Sequence, residues 1–439
     1  MTSLSTPGEL EEAVRKLFEH NQVSEIRRWQ GVAQVTYHAP SLVSPPKGLW
    51  QKIAFPWRVS YPHQWSWDSV AHAIVLRHID IELAKEELRS LLYTQQGNGF
   101  IPHLIWNHSR MHWLDSVMHH LYPNHYFSPY LQPPILASGV SAILEKEEDT
   151  AFLEEVLPRL SKYYVYLAQN RCRGDDGLLE IISPYESKDK SPEYDPVLGE
   201  VNTKPTWRNP LAKLMLRHWL KGWDLERILA SQHFRFKDLL FNCIYAHNLK
   251  ILSQLHTDEE ARRHFQDEAQ HSEAAILEKM YDPSSGLFFS LDARHNRDSQ
   301  IKVATVSTFL PLLLDTISQP VVDRLLEHLT NPQEFWAPYP VPAEPLTAPP
   351  AGDNHIWRGQ QTWLYTNWLI VRGLLKQAQR FQRQDYKQVA TEITSRSLEL
   401  VKKQGFREFY HSITGQGRRA QHFGWSTLVL DMVYNVEKV

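Results

Sequence analysis

The sequence predicts an all-α protein whose helices pair into six hairpins and close into an (α/α)6 barrel, with only short strands in the loops. Helical periodicity of apolar residues dominates the 439-residue chain and indicates roughly a dozen helices. Neither an alternation of strand and helix patterns nor a glycine-rich phosphate loop is visible. A polar glycine turn recurs after helical segments, beginning at Asp175, Asp282 and Arg407, and this spacing suits connecting loops gathered at one end of a ring.

The helical pattern begins near the N-terminus and continues to the end of the chain. "MTSLSTPGELEEAVRKLF" has no basic start followed by an apolar core, so it predicts a capped amphipathic helix and not a signal peptide. Strand patterns are short, as in "GLLEII" (177–182) and "GLFFSL" (286–291). Four helical stripes are formed by Ala84, Leu88, Leu91 and Leu92; by Phe152, Val156, Leu160, Tyr163, Tyr164 and Leu167; by Leu364, Trp368, Val371 and Leu375; and by Tyr386, Val389, Ile393 and Leu400.

No convincing domain boundary interrupts the pattern, so we expect one domain over residues 1–439. The proline-rich stretch 336–354 is compatible with a linker and equally with an ordered loop draped over a site.

Composition narrows the classes of function. A net charge of -3 argues against a nucleic-acid surface, and no run of 18 apolar residues suggests a membrane span. The two cysteines, Cys172 and Cys243, suggest a reducing compartment and give no metal-binding spacing. We therefore expect a cytoplasmic protein that acts on a small molecule without a cofactor or a metal; the sequence does not indicate an oligomeric state.

The 15 tryptophans suggest what that molecule is. Core packing explains most single tryptophans. Several of them, however, lie beside polar residues and glycine in loop-like segments, and a sugar has apolar CH faces with a polar rim that such a surface would fit. Six segments combine aromatic and polar residues: 63–69, 95–103, 131–137, 183–192, 355–368 and 407–417.

Carboxyl groups in these segments could supply glycosidase chemistry. Hydrolysis of a glycoside needs one protonated carboxyl group, which donates to the leaving oxygen, and one ionised carboxylate on the other side of the bond. A cap or turn role is the alternative for each candidate. The candidates are Asp68, Glu186, Asp189, Asp353 and Glu408.

Six motifs in order carry a resemblance to a known family: "QWSWDS", "QQGNGFIPH", "LQPPILA", "ESKDKSP", "WRGQQTW…NW" and "REFY…TG…FGW". From about Phe55 to Trp425 the chain resembles glycoside hydrolase family 63 and the family 37 trehalases of the same clan. It looks closest to the short bacterial branch that includes mannosylglycerate and glucosylglycerate hydrolases.

The resemblance implies an (α/α)6 barrel and an inverting α-glycosidase that removes a glucose or mannose unit from the nonreducing end of a short α-glycoside. Asp189 matches the family's general acid and Glu408 its general base. The implied substrate-binding residues are Tyr61, Trp65, Trp67, Asp68, Gln95, Gly99, Gln132, Trp357, Arg358, Gly359, Trp363 and Trp425.

The chain departs from the family around the acid and in the segment after it. Relatives usually read Glu-Ser-Gly-x-Asp-Asn-Ser-Pro, whereas this chain is one residue shorter and has Lys188 and Lys190 beside Asp189. Relatives that cleave glycerate glycosides carry an arginine in the next segment. Here that segment (193–210) has only Lys204 and Arg208 as cations, so a neutral disaccharide or a glucosylglycerol-like substrate remains an alternative.

Two other classes of function share the predicted fold. A sugar 2-epimerase would use paired histidines, for which His103, His247 and His355 are candidates among the 22 histidines. A carbohydrate-binding ring without activity would retain the tryptophans and need neither Asp189 nor Glu408.

Overall fold

The computed structural model describes residues 7–27, 34–42, 61–108, 120–201, 209–352 and 355–438. This part of the chain is mostly helical, and its strands are two to five residues long. Across the same ranges, no helix is both long and apolar enough to cross a membrane.

Fourteen α-helices follow one another along the described part of the chain. They are α1 (Pro7–Asn21), α2 (Ser66–Leu76), α3 (Ile81–Leu92), α4 (Leu136–Lys146), α5 (Thr150–Arg171), α6 (Asp195–Leu198), α7 (Pro210–Leu220), α8 (Leu225–Ala230), α9 (Leu239–Leu255), α10 (Glu259–Ala275), α11 (Gln319–Leu329), α12 (Leu364–Phe381), α13 (Gln384–Gln404) and α14 (Leu428–Lys438).

The strands form five small antiparallel sheets with the orders β1-β2, β3-β4, β5-β8-β9, β6-β7 and β10-β11-β12. They are β1 (Gln22–Glu25), β2 (Val35–His38), β3 (Gln64–Trp65), β4 (Leu104–Ile105), β5 (Phe236–Lys237), β6 (Tyr281–Asp282), β7 (Leu287–Phe288), β8 (Leu291–Asp292), β9 (Ser299–Gln300), β10 (Gln361–Thr362), β11 (Arg407–His411) and β12 (Gly417–Gln421).

Six helical segments pack in a closed ring, which we call the inner ring. In order of contact they are α2, α4, α9, the 3₁₀ segment Val306–Leu313, α12 and α14, and α14 packs back against α2. Every residue of α2 is buried, as expected for a helix that has neighbours on all sides.

A second helix covers each member of the inner ring from outside. Helix α3 packs on α2, α5 on α4, α10 on α9, α11 on the 3₁₀ segment, α13 on α12, and α1 on α14. The outer helices are amphipathic. In α3, for example, Leu88 and Leu91 are buried, and the Asp80 carboxylate caps the helix by accepting the backbone N–H groups of Glu82 and Leu83.

The structure confirms a helix for each of the four apolar stripes, as α3, α5, α12 and α13, and for the N-terminal segment as α1. The strand predicted at 177–182 was wrong, because side chains take up hydrogen bonds that a sheet would need. The backbone N–H of Leu179 donates to Asn242 Oδ1 at 2.7 Å, and that of Ile182 donates to Glu186 Oε2 at 2.7 Å. Isolated bridges remain there, whereas 286–291 contributes to β7 and β8.

The described part of the proline-rich stretch, 336–352, is an ordered loop that packs on β10. Pro342 forms a bridge with Thr362, and the backbone N–H of Ala343 donates to the Gln361 carbonyl at 2.8 Å. These contacts favour the ordered-loop interpretation over a linker.

Candidate active site

A pocket lies where the chain enters several inner-ring helices. It contains about 470 Å³ of space, part of it open to solvent. Residues from β3 and the start of α2, from the segments before α4 and α12, and from β11 and the segment before α14 form its wall. The lining residues are Pro40, Tyr61, Trp65, Trp67, Asp68, Gln132, Ser187, Asp189, Ile356, Trp357, Trp363, Glu408, Phe423 and Trp425.

The aromatic residues of the wall support one another. The Trp357 and Trp363 rings stack with centroids 3.8 Å apart, and Trp67 stacks on Tyr365 at 4.5 Å. Trp425 meets Trp67 edge to face at 5.8 Å. This mutual packing holds flat apolar faces in fixed positions, which a sugar ring can contact without further ordering of the protein.

Asp68 lies in the first turn of α2 and does not cap that helix. The N-cap residue is Trp65, without a side-chain cap, and the buried Asp68 carboxyl group lines the pocket. Burial raises the pKa of Asp68 well above its usual range, and the nearby Glu408 raises it further. Gln132 is fixed because its Oε1 accepts hydrogen bonds from Ser66 Oγ (2.9 Å) and the Trp67 backbone N–H (3.0 Å).

Asp189 enters the pocket from the segment between α5 and α6. Burial raises the pKa of its carboxyl group to about 7, although the Lys190 charge opposes this shift. The other neighbouring lysine points away. Lys188 Nζ donates to Asp238 Oδ2 at 2.9 Å and pairs with Glu193 at 3.1 Å, deep in the protein. Asp189 is therefore a carboxyl group that keeps its proton close to neutral pH.

Glu408 lies on β11 and is 3% exposed. The Tyr61 hydroxyl donates to Glu408 Oε1 at 3.1 Å, and the Ala420 backbone N–H donates to Oε2 at 3.3 Å. The Arg419 guanidinium pairs with Oε2 at 3.5 Å. Burial raises the pKa of Glu408, whereas the Arg419 charge and the hydrogen bonds from Ala420 and Tyr61 oppose the rise.

A fourth carboxyl group of these segments, Glu186, is structural. It is fully buried and receives hydrogen bonds from Arg171 Nη1 (2.9 Å) and Nη2 (2.5 Å), and from the Leu131 backbone N–H (2.9 Å). Asp353 and the cations Lys204 and Arg208 lie outside the described residues.

Four predicted substrate-binding residues are absent from the pocket wall: Gln95, Gly99, Arg358 and Gly359. Gln95 donates to the Gly99 and Arg159 carbonyls. Gly99 and Gly359 serve the backbone, because both have a positive φ (102° and 59°), and an added Cβ would come within 2.6 Å and 2.9 Å of neighbouring backbone atoms. Arg358 Nη2 donates to Asp195 Oδ1 at 2.5 Å.

The histidines considered for an epimerase also lie outside the pocket wall. His103 bonds Ser128, and burial lowers its pKa to about 3. Burial likewise lowers the pKa of His247 and of His355. None of the three lines the pocket, so proton transfer by a histidine pair has no support there.

Sequence reasoning missed five residues of this region. Pro40, Ser187, Ile356 and Phe423 line the pocket, and Arg419 contacts the Glu408 carboxylate. Ser187, Ile356 and Phe423 stand next to or within the aromatic and polar motifs, so proximity was an available signal for them. No signal in the sequence indicated Arg419, because its position beside Glu408 depends on the pairing of β11 with β12.

Comparison with known proteins places this pocket in a family. The family model for the mannosylglycerate hydrolase MGH1-like glycoside hydrolase domain matches residues 61–426, which include every carboxyl group of the pocket. The chain belongs to this family of glycoside hydrolases.

Characterised members of the family align over most of the chain. A mannosylglycerate hydrolase of Thermus thermophilus is 28% identical over 400 residues, which are 83% of this chain and 92% of the relative. A glucosylglycerate hydrolase of Mycolicibacterium hassiacum is 25% identical over 425 residues, 84% of this chain and 92% of the relative.

Solved structures of a family 63 glycoside hydrolase and of a trehalase have a similar fold. A family 63 mannosylglycerate hydrolase of Thermus thermophilus, in complex with Tris and D-glycerate, has a TM-score of 0.78 at 24% identity, covering 97% of this chain and 99% of that one. A neutral trehalase of Saccharomyces cerevisiae has a TM-score of 0.59 at 14% identity, covering 99% of this chain and 80% of the trehalase.

Proposed function

We propose that this glycoside hydrolase cleaves a short α-glucoside or α-mannoside from its nonreducing end with inversion, using Asp189 as general acid and Glu408 as general base. One observation carries the proposal. Two carboxyl groups in different electrostatic surroundings line the same aromatic pocket, as acid and base catalysis of glycoside hydrolysis requires.

The surroundings of Asp189 suit an acid. A general acid must still hold its proton at the working pH and must give it up readily, so its pKa should lie near that pH. Burial brings the pKa of Asp189 to about 7. The carboxyl group would donate this proton to the glycosidic oxygen as the bond to the anomeric carbon breaks.

The surroundings of Glu408 suit a base. Its two oxygens accept three contacts from donor groups: the Tyr61 hydroxyl, the Ala420 backbone N–H and the Arg419 guanidinium. These donors stabilise the ionised form against the effect of burial. The carboxylate would accept a proton from the water that attacks the anomeric carbon.

The wall of the pocket suits a sugar of limited length. Its tryptophans present flat apolar faces, and the buried indole N–H groups of Trp65 and Trp363 have no hydrogen-bond partner among the described residues. Each could donate to a sugar hydroxyl, which would offset its burial. Side chains from several parts of the chain surround the pocket, which favours a short substrate of about two units over an extended polysaccharide.

The relatives suggest that the leaving group is glycerate or a similar hydroxy acid. Characterised relatives are mannosylglycerate and glucosylglycerate hydrolases, and one related structure contains D-glycerate. In this chain Lys190 and Arg419 both act electrostatically on Asp189, so cations are close to the bond that would be cleaved. A neutral disaccharide or a glucosylglycerol-like compound is the second candidate, because the segment 193–210 contains only two cations, Lys204 and Arg208.

We further propose that the fold is an (α/α)6 barrel forming one catalytic domain over residues 1–439. The closed inner ring and the outer helix on each of its members support this arrangement. The two free cysteines favour a cytoplasmic enzyme.

A substrate screen tests the activity. The purified protein should be incubated with glucosylglycerate, mannosylglycerate, glucosylglycerol, trehalose, sucrose and α-glucobioses, and the products followed by proton NMR. Inversion predicts that the β-anomer of the free sugar appears first and then mutarotates. Initial release of the α-anomer would refute inversion, and exchange of the C2 proton would indicate an epimerase.

Charge selectivity tests the leaving group. Lys190, Lys204 and Arg208 should be replaced one at a time by alanine and compared on glucosylglycerate and on glucosylglycerol. A residue that binds the leaving carboxylate should lose about 1.5–3 kcal/mol in kcat/KM on the charged substrate only. Equal losses on both substrates would instead favour the neutral leaving group.

A further inference from the structure

The hairpin that carries Glu408 has one residue too many in its second strand. Arg407 pairs with Gln421 and Phe409 pairs with Arg418, so two steps along β11 correspond to three steps along β12. The register shift lies opposite Glu408 and makes a β-bulge. Bulges are enriched beside active sites because they turn a side chain in a direction that regular pairing would not allow.

Arg419 lies in this bulge with a left-handed backbone. Its φ is 53°, in the region that glycine adopts without strain and that is costly for a residue with a Cβ. Bulges of this kind usually place glycine there. An arginine in this position is strained, and such strain commonly marks a functional site.

The bulge directs the Arg419 side chain toward Glu408 and Tyr61. Its Nε lies 3.5 Å from Glu408 Oε2, and its Nη2 donates to the Tyr61 hydroxyl at 3.1 Å. That hydroxyl in turn donates to Glu408 Oε1 at 3.1 Å. Arg419, Tyr61 and Glu408 therefore form a closed set of contacts, with the side chain of Arg419 only 23% exposed.

Two other ionisable groups act on Glu408 or respond to it. Asp189 lines the same pocket and Asp68 lies at the start of α2, and the Glu408 charge raises the pKa of both. Arg419 is in direct contact with the Glu408 carboxylate, and Lys190 is the leading opposing charge at Asp189.

We propose that Arg419 is a positioning residue that holds Glu408, directly and through Tyr61, in the ionised state that a general base needs. This role rests on the proposed function, in which Glu408 is the base. The bulge is what makes it possible, because a regularly paired β12 would not place an arginine opposite Glu408.

The charge of Arg419 acts on both catalytic carboxyl groups. It opposes the rise that burial causes in the pKa of Glu408, and it also lowers the pKa of Asp189. Removing the charge should therefore move both limbs of a bell-shaped pH–rate profile to higher pH. A neighbouring charge at this distance typically shifts a pKa by about one to two units.

Arg419→Gly tests the proposal, because glycine removes the guanidinium and relieves the left-handed strain together. We expect a melting temperature within about 2 °C of the wild type, since relief of strain offsets the freedom that glycine adds to the unfolded chain. Gln382→Gly is the matched control. Gln382 also has a left-handed φ (55°), but it follows the end of α12 that is remote from Trp363, and it does not line the pocket.

Two readouts should agree. The pH dependence of kcat/KM should shift upward in Arg419→Gly, partly recover in Arg419→Lys and stay unchanged in Gln382→Gly. A ¹³C NMR titration of glutamate-labelled protein, with the Glu408 signal assigned by its absence in Glu408→Gln, should show the pKa of Glu408 raised by about one to two units in Arg419→Gly.

The two experiments separate this proposal from the function on which it rests. An unshifted Glu408 titration in Arg419→Gly would overturn the role of Arg419. So would a rate profile that is lowered uniformly without moving along the pH axis. A wild-type protein that hydrolyses none of the glycosides would instead overturn the proposed function, whereas the titration does not depend on turnover.

Discussion

Replacing Asp189 by asparagine should abolish hydrolysis and at the same time stabilise the protein above neutral pH. The pKa of Asp189 is raised by burial to about 7 in the folded protein, against about 3.9 in an unfolded chain. The folded state therefore binds the proton more tightly, and stability falls as pH rises from about 4 to about 7. Asparagine cannot ionise, so the variant does not lose this stability as the pH rises.

The size of the effect follows from the pKa difference. About three units, at 1.36 kcal/mol each, correspond to at most about 4 kcal/mol above pH 8. The Asp189 side chain is partly exposed, so the solvation that it keeps in the pocket lowers this figure. With about 2.1 cal/mol/K of unfolding entropy per residue, a 439-residue chain gains about 1 °C per kcal/mol. The melting temperature should rise by up to about 4 °C at pH 8 and by about 1–2 °C at pH 5.

Differential scanning calorimetry of the wild type and of Asp189→Asn at pH 5 and pH 8 measures this difference. Asp431→Asn is a control with the opposite sign. Burial alone would raise the pKa of Asp431, but the hydrogen bond from His78 and the charge of Arg77 outweigh it and lower the pKa. Its stabilising contribution is present above the unfolded pKa and is lost as pH falls, so Asp431→Asn should destabilise the protein at pH 8.

Two results would refute the reasoning about Asp189. An equal change in melting temperature at pH 5 and pH 8 would show that its carboxyl group has no raised pKa. Substantial activity in Asp189→Asn would show that another group is the acid.

The remaining predictions concern neighbouring residues of the pocket. Glu408→Gln should lower kcat about 100-fold or more with little change in KM, because a general base acts in the transition state; steady-state kinetics would refute this if only KM rose. Lys190→Met should move the basic limb of the pH–rate profile to higher pH, since the Lys190 charge is the leading influence that lowers the pKa of Asp189. A basic limb that does not move would exclude Asp189 as the titrating acid. Asp68→Ala should lower kcat/KM more than about tenfold with an almost unchanged melting temperature, since the side chain lines the pocket and caps no helix. A loss of about 1 kcal/mol in the free energy of unfolding, with full activity, would instead show that Asp68 is a helix cap. Trp363→Phe, which keeps an aromatic ring but removes the indole N–H, should raise KM about 5–15-fold, and an unchanged KM would show that no sugar hydroxyl meets this donor.

The helical elements of the fold were predictable because their information is local. Leu88 and Leu91, or Leu364 and Trp368, repeat at the spacing that puts apolar side chains on one face of a helix. The strand prediction at 177–182 failed for the opposite reason. Backbone N–H groups of this segment donate to the side chains of Asn242 and Glu186, and the local sequence pattern does not predict those partners.

The pocket was predictable in part. The motifs indicated Trp65, Trp67, Asp189 and Glu408 by residue type and by family resemblance, and the structure brings these residues together. Gln95 belongs to an equally suggestive motif, yet it serves the backbone around Gly99, since a polar residue beside a glycine looks the same in a binding loop and in a structural turn.

The sequence by itself therefore determined the helices, the aromatic character of the site and the two carboxyl groups proposed for catalysis. Only the tertiary structure decided which carboxyl groups of the motifs face the pocket and which are structural. Glu186 and Asp189 are three residues apart in one segment, but the first is paired with Arg171 and the second faces the pocket with its pKa raised to about 7 by burial. Arg419 reaches Glu408 only because a bulge turns it there. Burial and the charges around a group come from residues distant in the chain, whereas a local pattern records only spacing and residue type.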